Sequence, residues 1–460
     1  MQNNLTFSDF VNDIYIQFND ENLNNSLVSV CIEIPPLDIL EIYNYFQHLY
    51  PFSFFWEENH QLSFIALDKC EYKTLNGPNK YSVAKKFCDD TFKNLINLNK
   101  SNDIYSLPKI IYFFSFNDYV NNKSSNEVPL MEAVLPRILI IKNDNKVWLR
   151  MNSKVTQNSS LKDILDELWL LRSRIIQREV QFKEEYLKDL HINKFNYEFD
   201  NKKEKLREII SKGIQLVEED VLEKIVLGAR LSFNIENRIN IHKVLKNFQI
   251  NQPNTCRYLW KRSQDDITFG ASPEKLFSIN QNNLLLEAIA GTSKINNDKN
   301  LLLKNLKNLN EHNFVINYLI SSLKKLGIEN YIKDQLRVKS FGQISHLCTS
   351  ISANVDNICP FRLLEILHPT PALSGVPKNI SLNWIDILEN FSRGNYASPI
   401  GWVDYNRNAD FRVAIRGARI INKVMELTAG SGIIKGSSSV LEIEEIKLKF
   451  ETVAKEIFTN

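Results

Sequence analysis

Near the C-terminus a run of small residues, Leu427-Thr-Ala-Gly-Ser-Gly-Ile433, is followed by Glu442, Glu445 and Lys449. A small-residue turn there opens backbone N–H groups that can hold an anion. The segment after it reads as a helix carrying Glu442, Glu445 and Lys449 at i, i+3 and i+7, on one face. Carboxylates are hard oxygen ligands for a divalent cation, and an ammonium or a backbone cradle receives a carboxylate. Together they point to a carboxylate substrate held through a divalent ion.

Other residues of the same half have types suited to proton transfer. Lys224 opens the apolar run Lys224-Ile-Val-Leu-Gly-Ala-Arg230. Burial disfavours an ammonium, so a lysine pressed into such a site can serve as a general base. A solvated strand-end lysine is the commoner case when that segment is taken alone. Glu274 lies in Gly270-Ala-Ser-Pro-Glu-Lys-Leu-Phe277, where proline fixes a turn. Its carboxyl can face a cleft as a general acid if burial raises its pKa, or stabilise a helix N-terminus. Glu311, in Asn308-Leu-Asn-Glu-His-Asn-Phe-Val315, belongs to a long helix with an apolar face, and with Glu445 can supply two oxygens to Mg²⁺. His312 beside it reads as a helix-face histidine. Gly291-Thr292 and Gly430-Ser431-Gly432 read as small-residue turns at strand ends that let a ligand approach backbone N–H groups. Arg416 is central in the apolar strand Arg412-Val-Ala-Ile-Arg-Gly-Ala, and a guanidinium there needs a partner, for which a bidentate carboxylate suits its fork.

These side chains need a large body to position them. At 460 residues the chain can bury an extensive core. The apolar fraction is 43% and the charged fraction 24%, as in an ordinary soluble protein. Lysine plus arginine number 56 against 54 acids, and without a long basic run a nucleic-acid partner is not expected. Six scattered cysteines form no ligand-like spacing and read as reduced, packed thiols. The polar, acidic N-terminus fits no targeting signal and no apolar run reaches the ~18 residues of a membrane span, so cytoplasmic residence is expected.

The first ~175 residues alternate strand-like and helix-like pieces. Segments 26–32 and 109–116 read as buried strands, and 137–142 with 146–150 as a hairpin. The aromatic run Phe52–Trp56 reads as core. Residues 155–200 read as a connecting helix and loop. Beyond them the spacing Leu206, Ile209, Ile210, Ile214, Val217 is helical. Strands are expected at 224–230, 266–270, 284–289, 412–421 and 423–428, and helices at 299–326, 360–367 and 441–458. The class implied is α+β, with mostly antiparallel strands.

The segments EKIVLGAR, FGASPEKLF, EAIAGTSK, NEHNFV, SHLCTSI, LHPTPALSGVPK, GWVD, VAIRGARI and AGSGIIKGSS occur in one order. In combination they resemble the chorismate-utilising enzymes, and among them the isochorismate synthases, over roughly residues 205 to 455. The resemblance implies large, mostly antiparallel sheets packed as a sandwich with helices outside. Residues 1–200 would be a divergent N-terminal half and 201–460 the chorismate-binding region, intertwined in one structural domain. It places Lys224 on the base that activates water and Glu274 on the general acid. Glu311 and Glu445 fall on the Mg²⁺ ligands, with Glu442 close by. Gly291, Thr292, His346, Ala372, Leu373, Arg416, Gly430, Ser431, Gly432 and Lys449 fall on positions that line the site or grip the substrate carboxylates.

Three positions separate the branches. Aminodeoxychorismate synthases often carry a nucleophilic lysine where this chain has Ala290. Anthranilate synthases typically carry glutamine at Lys224, since ammonia rather than water attacks. Salicylate-forming relatives tend to have threonine at Ala372. All three point to conversion of chorismate to isochorismate without loss of pyruvate, feeding menaquinone or catechol siderophore synthesis. A salicylate synthase, another chorismate enzyme or a non-catalytic chorismate-binding protein are the alternatives. No glutaminase subunit is expected, and the chain is expected to be a monomer or weak dimer. Asn310, Asn313 and Ile443 depart from the usual pattern and flank the expected ligands.

Overall fold

A computed structural model describes residues 6–458 apart from 17–22, 24, 59–61, 99–102, 120–127, 157–158, 178–191, 237 and 295–298. Strands Ser53–Glu58 and Leu62–Leu75 show how the apolar sequence builds the sheet. A strand sends alternate side chains to opposite faces. Phe54 and Trp56 join one core with Phe64, Trp260 and Trp402, while Phe55 joins another with Ile65 and Leu67. Both faces are therefore buried, which is why this segment reads as a continuous aromatic run rather than an alternating one. Phe54 meets Trp260 edge-on, with centroids 5.7 Å apart. Each such ring adds about 1.5–3 kcal/mol of burial.

Among the described residues, twenty strands join one hydrogen-bonded network with eleven α-helices around it. The strand pairings are antiparallel except that of Leu27–Ile34 with Leu95–Leu98. The network crosses position 200 twice: Ser53–Glu58 pairs with Cys256–Ser263, and Lys109–Phe114 with Pro399–Asp404. Among the described residues no helix is long and apolar enough to cross a membrane.

Local structure departs from sequence expectation where glycine or a polar cap intervenes. The helix expected from 299 is two, Lys299–Lys304 and Leu306–Lys325, because Asn305 caps the second by accepting from Asn308 N at 3.0 Å. The small-residue run 427–433 is no turn. It is the end of strand Val424–Ile434, paired along its length with Lys224–Asn234. Gly291 likewise lies inside strand Asn283–Lys294, where the register slips between Ala290 and Thr292. Its φ of +75° suits glycine and bulges the strand. The strand expected over 412–421 is broken into Ala409–Val413 and Gly417–Ile421, with Arg416 between them at φ +54°. Arg416 thus leaves the ladder instead of occupying its centre. Residues 157–158 and 178–191, in the expected connecting segment, lie outside the described residues.

Candidate active site

Lys224 begins the strand Lys224–Asn234, and its side chain is fully buried. Its Nζ donates to Glu311 Oε1 at 2.9 Å, the glutamate arriving from helix Leu306–Lys325. Gly432 on the neighbouring strand makes this meeting possible. A Cβ at that position would run into Glu311 Oε1 and come within 3.1 Å of Lys224 Cε. The small residues thus supply room rather than a cradle of N–H groups.

Glu274 sits between strands Asp266–Ser272 and Lys275–Asn280. Ser272 Oγ accepts from its N–H at 3.2 Å and donates to Val413 O at 2.6 Å, while Val413 N donates to Glu274 O at 3.1 Å. With the backbone pinned, the carboxyl is held in a buried position. Burial pushes its pKa up to about 7, against the pull of Lys224 and Lys449. A carboxylic acid of that kind holds a proton near neutrality.

Arg416 projects from the break between two strands. Nη1 donates to Thr452 Oγ1 at 3.0 Å and Nη2 approaches His346 Nε2 at 3.4 Å. Burial lowers it to about 10 against the longer-range help of Glu445 and Tyr396. Among the described residues it has no ion pair, and a partly desolvated guanidinium without a close carboxylate is costly until an anion arrives. His346 is held neutral, lowered to about 3 by burial and then by Arg416 and Lys449. Because a guanidinium only donates, Nε2 must accept, which leaves the proton on Nδ1 to be given to Gly291 O at 3.2 Å. The histidine thereby links the Gly291 bulge to Arg416.

Lys449, from helix Ser439–Ile457, donates to Gly430 O at 2.8 Å and pairs with Glu445 Oε1 at 2.7 Å. Burial works to raise Glu445, but Lys449, then Lys307, hold it down to about 2. Glu445 is therefore an ionised carboxylate. Glu442 is buried, pairs with Lys307 and accepts from Ser431 Oγ at 2.5 Å.

A cleft of about 750 Å³ gathers Glu274, Gly291, Thr292, Glu311, His346, Ala372, Leu373, Arg416, Gly430, Gly432 and Lys449 on its walls. Lys224 and Glu445 do not line it, but each is bonded to a residue that does, Lys224 to Glu311 and Glu445 to Lys449. Ser431 and Glu442 are engaged with each other and do not line it. Tyr396 and Arg393 also line the cleft, and sequence reasoning did not single them out. Burial pushes the Tyr396 phenol up to about 12, so it remains an O–H donor. The only sequence signal was a tyrosine and an arginine in the short segment Arg393-Gly-Asn-Tyr396, without periodicity. Arg393 is answered by Glu389, at 2.6 Å.

No group of three His, Cys, Asp or Glu that could hold a metal is assembled among the described residues. Glu311 and Glu445 are nonetheless hard oxygen donors, each paired with a lysine through Oε1. Two protein carboxylates, with water and substrate oxygens completing the shell, is how Mg²⁺ is commonly held. The donor chemistry fits.

A mostly antiparallel sheet assembly holds a cleft with a proton-bearing carboxylic acid, a buried lysine and an arginine awaiting an anion. Those are the parts of an enzyme acting on a small carboxylate. The chain belongs to the chorismate-binding enzymes: the family model described as "Chorismate binding enzyme" matches residues 13–458. It is 28% identical over 443 residues to the isochorismate synthase MenF of Bacillus subtilis (strain 168), covering 92% of each chain. It is 30% identical over 252 residues to the salicylate biosynthesis isochorismate synthase of Pseudomonas aeruginosa, covering 53% of this chain and 52% of that protein. In fold it is similar to the menaquinone-specific isochorismate synthase MenF of Escherichia coli, with a TM-score of 0.75, 19% identity and 98% of each chain covered. Anthranilate synthase component I from Streptococcus pneumoniae TIGR4 has the same fold at a TM-score of 0.71 and 17% identity, over 86% of this chain and 92% of that one.

Proposed function

We propose that the chain is an isochorismate synthase, adding water at C2 of chorismate and releasing the C4 hydroxyl, with Mg²⁺ as cofactor. The observation that carries this reading is the buried acid Glu274 within electrostatic reach of Lys224, on a cleft whose wall presents Arg416, which forms no ion pair among the described residues. Likeness to B. subtilis MenF over 92% of both chains supports it and favours the menaquinone branch over the siderophore branch.

Arg416 and the Tyr396 hydroxyl would grip one carboxylate of the substrate, and Lys449 would add charge to the same wall. Nζ of Lys224 would take a proton from water as the water oxygen bonds to C2. The ring double bonds shift, and the C4–O bond breaks as Glu274 gives its proton to the departing hydroxyl. Glu311 and Glu445 would hold Mg²⁺, which when bound neutralises and orients a substrate carboxylate. Ala290 offers no amine for a covalent route. With water as nucleophile no ammonia donor is needed.

Incubating the purified chain with chorismate and Mg²⁺ and separating the products tests the reading. Isochorismate in equilibrium with chorismate, lost on adding EDTA, is the expected result. Salicylate with pyruvate would favour a lyase despite Ala372, and no turnover by folded protein would favour a binding protein.

A further inference from the structure

Each of the three glutamates at or beside the cleft on the two helices that reach it is answered by an ammonium. Lys224 Nζ lies 2.9 Å from Glu311 Oε1 and Lys449 Nζ 2.7 Å from Glu445 Oε1, while Lys307 is ion-paired with Glu442. In the proposed reaction Lys224 takes a proton and Lys449 meets substrate charge, but Lys307 has no part. It stands in the first turn of helix Leu306–Lys325, four residues before Glu311, so the two share a face. Glu442 stands in the first turn of helix Ser439–Ile457, three residues before Glu445. The Lys307–Glu442 pair therefore bridges the starts of the helices that bring Glu311 and Glu445 together. A cation in a first turn faces the positive end of the helix dipole, so Glu442 holds Lys307 there against its own helix. The three pairs also differ in closure. Glu311 and Glu445 meet their lysines through Oε1, whereas Glu442 is engaged at both oxygens, Oε1 by Lys307 and Oε2 by Ser431 Oγ at 2.5 Å. Lys224 is 0% exposed, Lys449 17% and Lys307 30%. Lys307 is thus the ammonium with most water beside it, and its flexible stem lets the head leave without moving the helix.

We propose that Lys307 is a resident counter-cation of the metal site: it neutralises Glu442, is displaced into solvent when a divalent ion binds at Glu311 and Glu445, and so sets the affinity for that ion. The proposal rests on the functional reading above, which places Mg²⁺ on those two glutamates. Three carboxylates against three ammonium groups carry no net charge to attract a dication. With the Lys307 head swung out, the same carboxylates face two ammonium groups, and buried Glu442 needs a new positive neighbour. Repulsion between an ammonium and a dication scales with the product of their charges, so the departure favours the ion twice over. The charge of Lys307 already reaches Glu445 as well as Glu442.

The test is calorimetric titration of the full chain with Mg²⁺, without chorismate, for the wild type, Lys307→Gln and Lys307→Arg. Glutamine removes the charge and keeps a donor for Glu442. It is expected to lower the Mg²⁺ Kd about tenfold, while arginine, which keeps the charge, stays within about twofold of the wild type. Melting gives a readout that an ordinary salt bridge would not move. In EDTA the glutamine variant should melt below the wild type, and saturating Mg²⁺ should close the gap. A pair of purely structural value would leave the gap unchanged. If Lys307→Gln does not fold, the wild type still decides. Brief acetylation of its amines, read by mass spectrometry, should label Lys307 about threefold faster in Mg²⁺ than in EDTA, since a carboxylate partner favours the charged, unreactive form. A Kd in Lys307→Gln within about twofold of the wild type overturns the proposal. So does an arginine variant that binds as tightly as the glutamine one, or labelling of Lys307 that ignores Mg²⁺. Chorismate turnover by the same wild-type preparation separates the two readings. Turnover together with any of those results overturns this proposal alone, whereas the expected Mg²⁺ results without turnover overturn the functional reading and uphold the role of Lys307.

Discussion

Replacing Glu274 by glutamine is expected to lower kcat by about 10²–10⁴-fold, the usual worth of a general acid, while making the protein more stable in mild alkali. The side chain is almost completely buried, and burial raises its pKa from 4.5 to about 7. A group whose folded pKa is raised contributes its stability at low pH and loses it as the pH rises through the folded value. At pH 8 the wild type therefore keeps a buried carboxylate at a cost of about 3 kcal/mol, which falls below about 1 kcal/mol at pH 5. Glutamine removes that cost. Thermal melts at the two pH values check it: the gain of the variant should be clear at pH 8 and small at pH 5. The same titration shapes the wild-type rate. Since the acid must be protonated, kcat/KM should fall about tenfold per pH unit above ~7. A flat rate between roughly pH 6 and 9 would remove Glu274 from this role.

Lys224→Gln is expected to reduce kcat by a similar ~10²–10⁴-fold with KM little changed. Lys224 does not line the cleft wall where Arg416 and Lys449 stand, so substrate grip should survive its loss. Glutamine can still donate to Glu311 Oε1, replacing the 2.9 Å hydrogen bond of the wild type. The variant therefore separates proton acceptance from support of Glu311. Removing a buried ion-pair partner outright, as in Lys224→Ala, would leave Glu311 exposed to a penalty of about 3–5 kcal/mol. Activity near wild type in Lys224→Gln would mean that another group takes the proton from water.

The elements that carry the site were legible in the sequence because their residues answer to local physics. Lys224 at the head of an apolar run, Glu274 after Pro273 and Glu311 on an amphipathic helix each sit where periodicity or turn chemistry put them. The order of nine short segments then related them across some 200 residues. Backbone detail was less legible, and the errors share a cause. Glycine signals a turn, a bulge and a close approach equally well. At Gly291 the truth was a bulge, and at Gly432 it was space for Glu311. Arg416 looked like mid-strand because its neighbours are apolar. The left-handed backbone that lifts it from the ladder depends on tertiary pairing with Ala271, whose N–H donates to Arg416 O at 3.0 Å. Tyr396 was missed because a single tyrosine in an irregular segment has no pattern to betray it. The interlocking of the two halves, through Ser53–Glu58 and Pro399–Asp404, is likewise a long-range pairing on which local sequence is silent.

The central claim is that water from solvent adds at C2 while the C4 hydroxyl departs, and isotope tracing addresses it directly. The reaction would be run in ¹⁸O-labelled water with chorismate and Mg²⁺, and both ring compounds recovered for mass spectrometry at short times and at equilibrium. The account predicts isochorismate carrying one ¹⁸O at C2 from the earliest samples, with label entering C4 of chorismate as the reaction reverses. Isochorismate formed without ¹⁸O would mean that the original hydroxyl migrates within the ring, and would contradict the roles given to Lys224 and Glu274.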